Sequence, residues 1–244
     1  MIDIVENFYN QVIKNLYSNN LFLKQNKNFY YKDILLYFNN FRKHILLQNK
    51  KKLRIATISK KSFSLYSSII SILLSQNTWI PLDDDLPVNV IKFILRDSKT
   101  NLALVDSECE RKFGFLLKKL KIKYKNIDNF VHKKKRYENF FSFNKDFKVS
   151  KKNIAMIFYT SGSTGMPKGV KMSNENFVSS LNGQIQHIFS YLNKKNLIFG
   201  DYHNTSFVIS LNILLPCIYL GAEISPAISL KDRLFPLDHI KKNK

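Results

Sequence analysis

A chain of 244 residues, 45% of them hydrophobic, can close the core of one large α/β domain or two small ones, which excludes a globally disordered polymer. With 39 basic residues against 18 acidic ones the net charge is +21, a balance that would assist contact with nucleic acid, an anionic membrane or an anionic small substrate. The basic residues are scattered from end to end, however, and the densest runs (50–52 and 133–136) are short and loop-like, so the expectation is a solvated basic surface and no specific nucleic-acid partner.

Residues 1–28 carry Ile4, Phe8, Val12 and Leu16 at helical spacing and read as an N-terminal helical segment. Beyond Tyr31-Lys32-Asp33-Ile34, the apolar positions Leu36, Phe38, Phe41, Ile45 and Leu46 predict an amphipathic helix ending near Asn49. A short strand follows at 53–58. Ser59 is a candidate cap for a helix over 62–75, with Asn77 as its left-handed stop. Trp79-Ile80-Pro81-Leu82 is a strand, 83–87 a turn, 88–97 a helix, 102–105 a strand, 108–120 a helix and 122–127 a strand. That alternation predicts an α/β fold of mostly parallel sheets flanked by helices. Residues 128–150 have no clean period and read as a surface excursion.

Cys109 and Cys217 stand far apart without CxxC context, which excludes a disulfide scaffold or zinc finger and fits a reducing compartment. The amino terminus lacks the layout of a signal peptide. The longest apolar stretch, 207–220, is too short to span a bilayer and is broken by Asn212 and Pro216. A cytoplasmic protein with no membrane span is expected.

Ile154-Ala155-Met156-Ile157-Phe158-Tyr159 is a nearly continuous apolar run, as in a strand buried on both faces. It leads directly into Thr160-Ser161-Gly162-Ser163-Thr164-Gly165-Met166-Pro167-Lys168-Gly169, which holds three of the seven glycines in the chain. Glycines permit positive φ and close backbone approach. Successive N–H groups in such turns make a nest for an anion. The hydroxyls of Thr160, Ser161, Ser163 and Thr164 add neutral donors, and Lys168 adds a cation where phosphate charge shifts. Together they read as a polyphosphate cradle. A flexible Ser/Gly connector would gain nothing from the Pro-Lys-Gly end. The P-loop GxxxxGK[ST] fails because Pro167 precedes Lys168 and Gly169 follows it. A GxSxG nucleophile elbow fails because Gly162-Ser163-Thr164-Gly165 is one residue short. Asp83-Asp84-Asp85 reads as solvated carboxylates in a turn rather than a metal site, and the histidines show no ligand spacing.

The segment from Tyr159 to Val170 resembles the signature loop of the adenylate-forming superfamily: acyl-CoA synthetases, luciferases and the adenylation domains of non-ribosomal peptide synthetases. Tyr31-Lys32-Asp33-Ile34 is similar to that family's Tyr-x-Glu-Leu helix start, and Trp79-Ile80-Pro81-Leu82-Asp83 to its Val-Pro-Leu-Asp turn. Residues 91–98 resemble its Ile-x-x-Ile-Leu-x-Asp-Ser helix, and Gly221-Ala222 its Gly-Ala helix end. The resemblance implies a partial AMP-binding domain over 29–230, followed by a truncated tail over 231–244.

In that family a carboxylate attacks the α-phosphate of Mg-ATP to give an acyl-adenylate and pyrophosphate. Coenzyme A or the phosphopantetheine of a carrier protein then takes the acyl group. Carried over, Thr160, Ser161, Gly162, Ser163, Thr164, Gly165 and Lys168 would bind the ATP phosphates, with Lys168 catalytic. His203, Phe207 and Val208 would line the substrate pocket. Phe207-Val208-Ile209-Ser210 falls where the amino-acid-activating branch has Phe-Asp-x-Ser, and Val208 replaces the aspartate that pairs with the substrate ammonium; burying that cation without a partner costs several kcal/mol. A carboxylic acid without an α-amino group, or one that binds it differently, is the expected substrate. The family's Mg²⁺ ligand, ribose-binding aspartate and mobile lysine come after the portion matched here, so the resemblance implies no adenylation by this chain alone and a complementary C-terminal polypeptide as partner. The alternatives are a non-catalytic remnant that binds nucleotide or a partner, and a basic nucleic-acid-binding protein.

Overall fold

The computed structural model describes residues 3–46, 52–131, 149–161, 166–191 and 197–242. The chain opens with helix α1 (Ile4–Leu16), strands β1 (Leu21–Lys24) and β2 (Asn28–Tyr30), and helix α2 (Tyr31–Phe41), which runs into a π-helical turn, Arg42–Leu46. Strand and helix then alternate: β3 (Arg54–Ile58), α3 (Phe63–Leu74), β4 (Thr78–Leu82), α4 (Val88–Asp97), β5 (Leu102–Val105), α5 (Ser107–Lys119) and β6 (Lys123–Asn126). A hairpin of β7 (Ile154–Thr160) and β8 (Lys168–Ser173) follows. The remainder is α6 (Asn174–His187), β9 (Ile198–Asp201), α7 (Leu211–Leu220), β10 (Glu223–Pro226), α8 (Leu230–Leu234) and α9 (Pro236–Lys242).

These elements form two compact units. One comprises Met1–Leu35, Phe143–Lys151 and Glu175–Lys244; the other comprises Leu36–Ser142 and Lys152–Asn174. The second holds a six-stranded sheet in the order β6-β5-β3-β4-β7-β8, parallel except for the edge strand β8. Parallel strands joined through helices bury both faces, and β5 is buried at all four positions. One core layer gathers Ile58, Ile80, Ile91, Leu95, Val105, Phe113, Leu117 and Ile157. Helix α3 is buried on every side, capped at its start by the Ser62 hydroxyl, which accepts from the Leu65 amide at 3.2 Å. Two of its buried serines are hydrogen-bonded: Ser71 Oγ donates to the Ser67 carbonyl at 2.6 Å, and Tyr37 Oη lies 2.5 Å from Ser68 Oγ. Trp79 is fully buried, donates its indole N–H to Thr57 Oγ1 at 2.9 Å and meets Phe158 edge to face.

The other unit contains a four-stranded sheet in the order β2-β1-β10-β9. Helix α7 packs beside it and ends at Gly221, whose φ of 69° is the left-handed conformation a glycine adopts without cost. The carbonyls at that helix end are taken up by side chains distant in sequence. Asn15 Nδ2 donates to the carbonyls of Ile218 and Tyr219, Tyr31 Oη lies within hydrogen-bonding distance of those of Cys217 and Ala222, and Asn20 Nδ2 donates to that of Gly221.

The helix expected through residue 28 stops at Leu16, because Ser18-Asn19-Asn20 breaks it and residues 21–30 pair as an antiparallel hairpin. The cap of α3 is Ser62 rather than Ser59, whose hydroxyl bonds Asp106 instead. The left-handed residue after α3 is Gln76 at φ 54°, while Asn77 is buried and accepts from the Leu53 amide. Asp83 is buried at the end of β4, unlike the exposed Asp85, so the acidic turn is not uniformly solvated. Among the described residues no helix is long and apolar enough to cross a membrane. Both cysteines are free and buried.

Candidate functional site

Strand β7 is inserted next to β4 at the Trp79–Met156 pair, with residues 155–158 buried. Its last two residues emerge from the sheet: Tyr159 is half-buried and Thr160 exposed. The antiparallel partner β8 returns with Lys168 opposite Thr160 and Gly169 opposite Tyr159. The glycine-rich segment is therefore the connection of a hairpin, and Lys168 is the first residue of its returning strand. The residue pattern alone suggests a loop position for Lys168. The pairing with Thr160 places it on the last rung of the ladder.

That rung sets an exposed hydroxyl and an exposed ammonium side by side at the start of the connection, and Ser161 adds a second exposed hydroxyl. Neighbouring residues along a strand point to opposite faces, so Thr160 and Lys168 share a face that Tyr159 and Gly169 do not. An anion resting on that shared face would meet the Thr160 hydroxyl and the Lys168 ammonium. Gly162, Ser163, Thr164 and Gly165, the other residues expected to bind phosphate, lie outside the described residues.

The polar anchor under this rung is not marked by any motif in the sequence. Tyr159 Oη donates to Asp97 Oδ2 at 2.6 Å. Burial and the adjacent Asp97 carboxylate both push the Tyr159 phenol well above its ordinary range, so the hydroxyl stays protonated and remains a donor. The only signal was the Asp-Ser at the end of the helix over 88–97, which said nothing of its partner.

The expected substrate-pocket residues belong to the other unit. His203 is exposed in the segment after β9. Phe207 is 61% exposed and Val208 40% exposed, at the start of a 3-10 turn, Val208–Ser210. The segment is fixed by Ser210, whose hydroxyl lies within hydrogen-bonding distance of the carbonyls of Phe207 at 2.7 Å and Thr205 at 3.1 Å. Asn204 accepts from the Arg233 guanidinium at 2.9 Å. Three apolar side chains, Phe207, Val208 and Ile209, are thus exposed on a short turn. Among the described residues no group of three His, Cys, Asp or Glu side chains could hold a metal ion.

A family model described as AMP-binding enzyme matches residues 16–244. A plipastatin synthase of Bacillus subtilis (strain 168) is 31% identical over 184 residues, covering 72% of this chain and 4% of that protein. The Vibrio cholerae adenylation domain AlmE, solved in complex with glycyl-adenosine-5'-phosphate, matches with a TM-score of 0.79 at 17% identity, over 100% of this chain and 48% of its own. The O-succinylbenzoate coenzyme A synthetase MenE of Bacillus subtilis, solved with AMP, matches with a TM-score of 0.74 at 15% identity, over 95% and 58% respectively. The α/β fold with mostly parallel sheets flanked by helices is thus that of a portion of adenylation-domain structures. The chain spans about half the length of these solved domains and a small fraction of the plipastatin synthase.

Proposed function

The chain belongs to the AMP-binding enzyme family, and from that premise we propose that it serves as the amino-terminal part of an ATP-dependent carboxylate-activating ligase. The reaction is attack of a carboxylate on the α-phosphate of ATP, giving an acyl-adenylate and pyrophosphate, followed by transfer of the acyl group to a thiol of coenzyme A or of a carrier protein's phosphopantetheine. The observation that carries this reading is the Thr160–Lys168 rung, which presents a hydroxyl and an ammonium together where the glycine-rich connection begins.

On this reading Lys168 neutralises charge that builds on the β- and γ-phosphates as pyrophosphate leaves, and Thr160 and Ser161 donate hydrogen bonds to the same oxygens. Gly162, Ser163, Thr164 and Gly165 are assigned to the same phosphates by the family resemblance. Mg²⁺ would arrive as the ATP chelate and supply further neutralisation of the phosphates. His203, Phe207 and Val208 serve the acyl group, and Val208 at the position of the family's ammonium-pairing aspartate favours an acid without an α-amino group. Preferential binding of an α-amino acid over its desamino analogue would overturn that last assignment.

Calorimetric titration of the chain with pyrophosphate, ATP and AMP tests the reading. Pyrophosphate and ATP are expected to bind and AMP to bind more weakly, because the contacts are to the outer phosphates. Equal affinity for ATP and AMP, or binding only to DNA or RNA with a steep salt dependence, contradicts it.

A further inference from the structure

Resting on the phosphate-cradle reading, we propose that Tyr159 and Asp97 are positioning residues that fix the rung from which Lys168 reaches the phosphates.

The phenol and the carboxylate are 62 residues apart in sequence and meet at 2.6 Å, a short charge-assisted hydrogen bond. Asp97 is the last residue of α4. A carboxylate there faces the negative end of the helix dipole, so helix stability does not favour it at this place. The phenol proton of Tyr159 offsets that repulsion. Nearby, the Arg54 guanidinium donates to the Ser98 carbonyl at 2.8 Å and adds positive charge at the same corner.

The tyrosine ring lies against Gly169, its cross-strand partner. A Cβ built on Gly169 would stand 3.1–3.3 Å from three atoms of Tyr159, closer than ordinary van der Waals contact. Glycine is thus the residue that lets the ring lie flat on the returning strand. One end of the side chain is pinned to α4, and its face bears on the residue immediately after Lys168. The pleat then carries Lys168 and Thr160 to the opposite face. The hydrogen bond and the ring contact together hold the rung from beneath, without touching the anion.

The test is pyrophosphate affinity of the 244-residue chain by calorimetry, with thermal melting alongside. Tyr159→Phe and Asp97→Ala are each expected to weaken binding about three- to tenfold, and the double variant no further than either alone. Asp97→Asn keeps an acceptor for the phenol and restores affinity to within about twofold of the parent. Gly169→Ala, which must displace the ring, weakens binding like the other two. Asn126→Ala removes a side-chain bond to Glu110 at the far edge of the sheet; it is expected to lower the melting temperature and leave affinity unchanged. If Tyr159→Phe binds pyrophosphate like the parent while Lys168→Ala does not, the positioning role is overturned and the cradle stands. If the parent itself does not bind pyrophosphate, both fall. If Asn126→Ala weakens binding as much as Tyr159→Phe, the effect is one of stability and the positioning role is again overturned.

Discussion

Three successive helices, α3, α4 and α5, end in the same way. Gln76, Lys99 and Lys121 adopt left-handed backbone at φ 54°, 53° and 57°. Each donates to the carbonyl three residues back, and the following residue donates to the carbonyl five back, as Thr100 does to Leu95 and Ile122 to Leu117. This is the Schellman arrangement, in which glycine is usual. A side chain in this conformation costs roughly 1–2 kcal/mol. Replacing it with glycine recovers that cost and gives back roughly 0.5–1 kcal/mol through the greater freedom of the unfolded chain. The net gain is about 0.5–1 kcal/mol per site. Lys99 and Lys121 are exposed, which makes them the clean test positions. Lys99→Gly and Lys121→Gly together should add about 1–2 kcal/mol, or roughly 2–8 °C in melting temperature for a chain of this size. Lys118→Gly, one turn earlier in right-handed helix, should lose about 1 kcal/mol. Differential scanning calorimetry or urea unfolding reads all three. A loss on Lys121→Gly, or the same response at 118 and 121, would mean that the left-handed lysine carries no backbone cost.

Both thiols should resist modification, since Cys109 is 1% and Cys217 0% exposed and burial raises each thiol well above its ordinary range. An aromatic disulfide reagent at pH 8 should titrate neither in the folded chain and both in denaturant; rapid reaction of either when folded contradicts the packing. The Asp106 carboxyl is held below its ordinary 3.8: burial raises it, but bonds from the Cys109 and Lys60 amides and the Ser59 hydroxyl outweigh that. Its contribution to stability is therefore present above about pH 3.8 and lost as pH falls through the lower folded value. Asp106→Asn should flatten stability against pH in that acid window and nowhere above it, as urea midpoints between pH 2.5 and 6 would report. Asn15→Ala leaves the buried end of α7 without two of its donors and should cost about 1–3 kcal/mol, whereas a loss below about 0.5 kcal/mol means water replaces the amide.

The alternating unit was legible because its signals are local. Helix α4 has Ile91, Ile94 and Leu95 on one stripe between Pro87 and Ser98, and β5 is a four-residue apolar run. Both came out at the predicted residues. The β1–β2 hairpin was not legible, because Leu21, Phe22 and Leu23 continue an apolar pattern begun in the preceding helix and carry no period of two. The chemistry proposed for the glycine-rich segment was visible in its residue types, since glycines, hydroxyls and one lysine were concentrated there. Its geometry was not. That Lys168 begins a strand opposite Thr160 depends on antiparallel register, and the Tyr159–Asp97 bond joins elements brought together only by the sheet order β4-β7-β8.

Whether the ammonium of residue 168 meets phosphate is decided by a comparison between two lysines of β8. Lys168 and Lys171 are both exposed and carry the same charge, but they stand on opposite faces of the strand. Pyrophosphate binding measured by calorimetry at fixed ionic strength should fall at least about tenfold in Lys168→Ala and less than twofold in Lys171→Ala. Equal losses in the two variants would mean that only general positive charge attracts the anion, and no phosphate cradle is present at this hairpin.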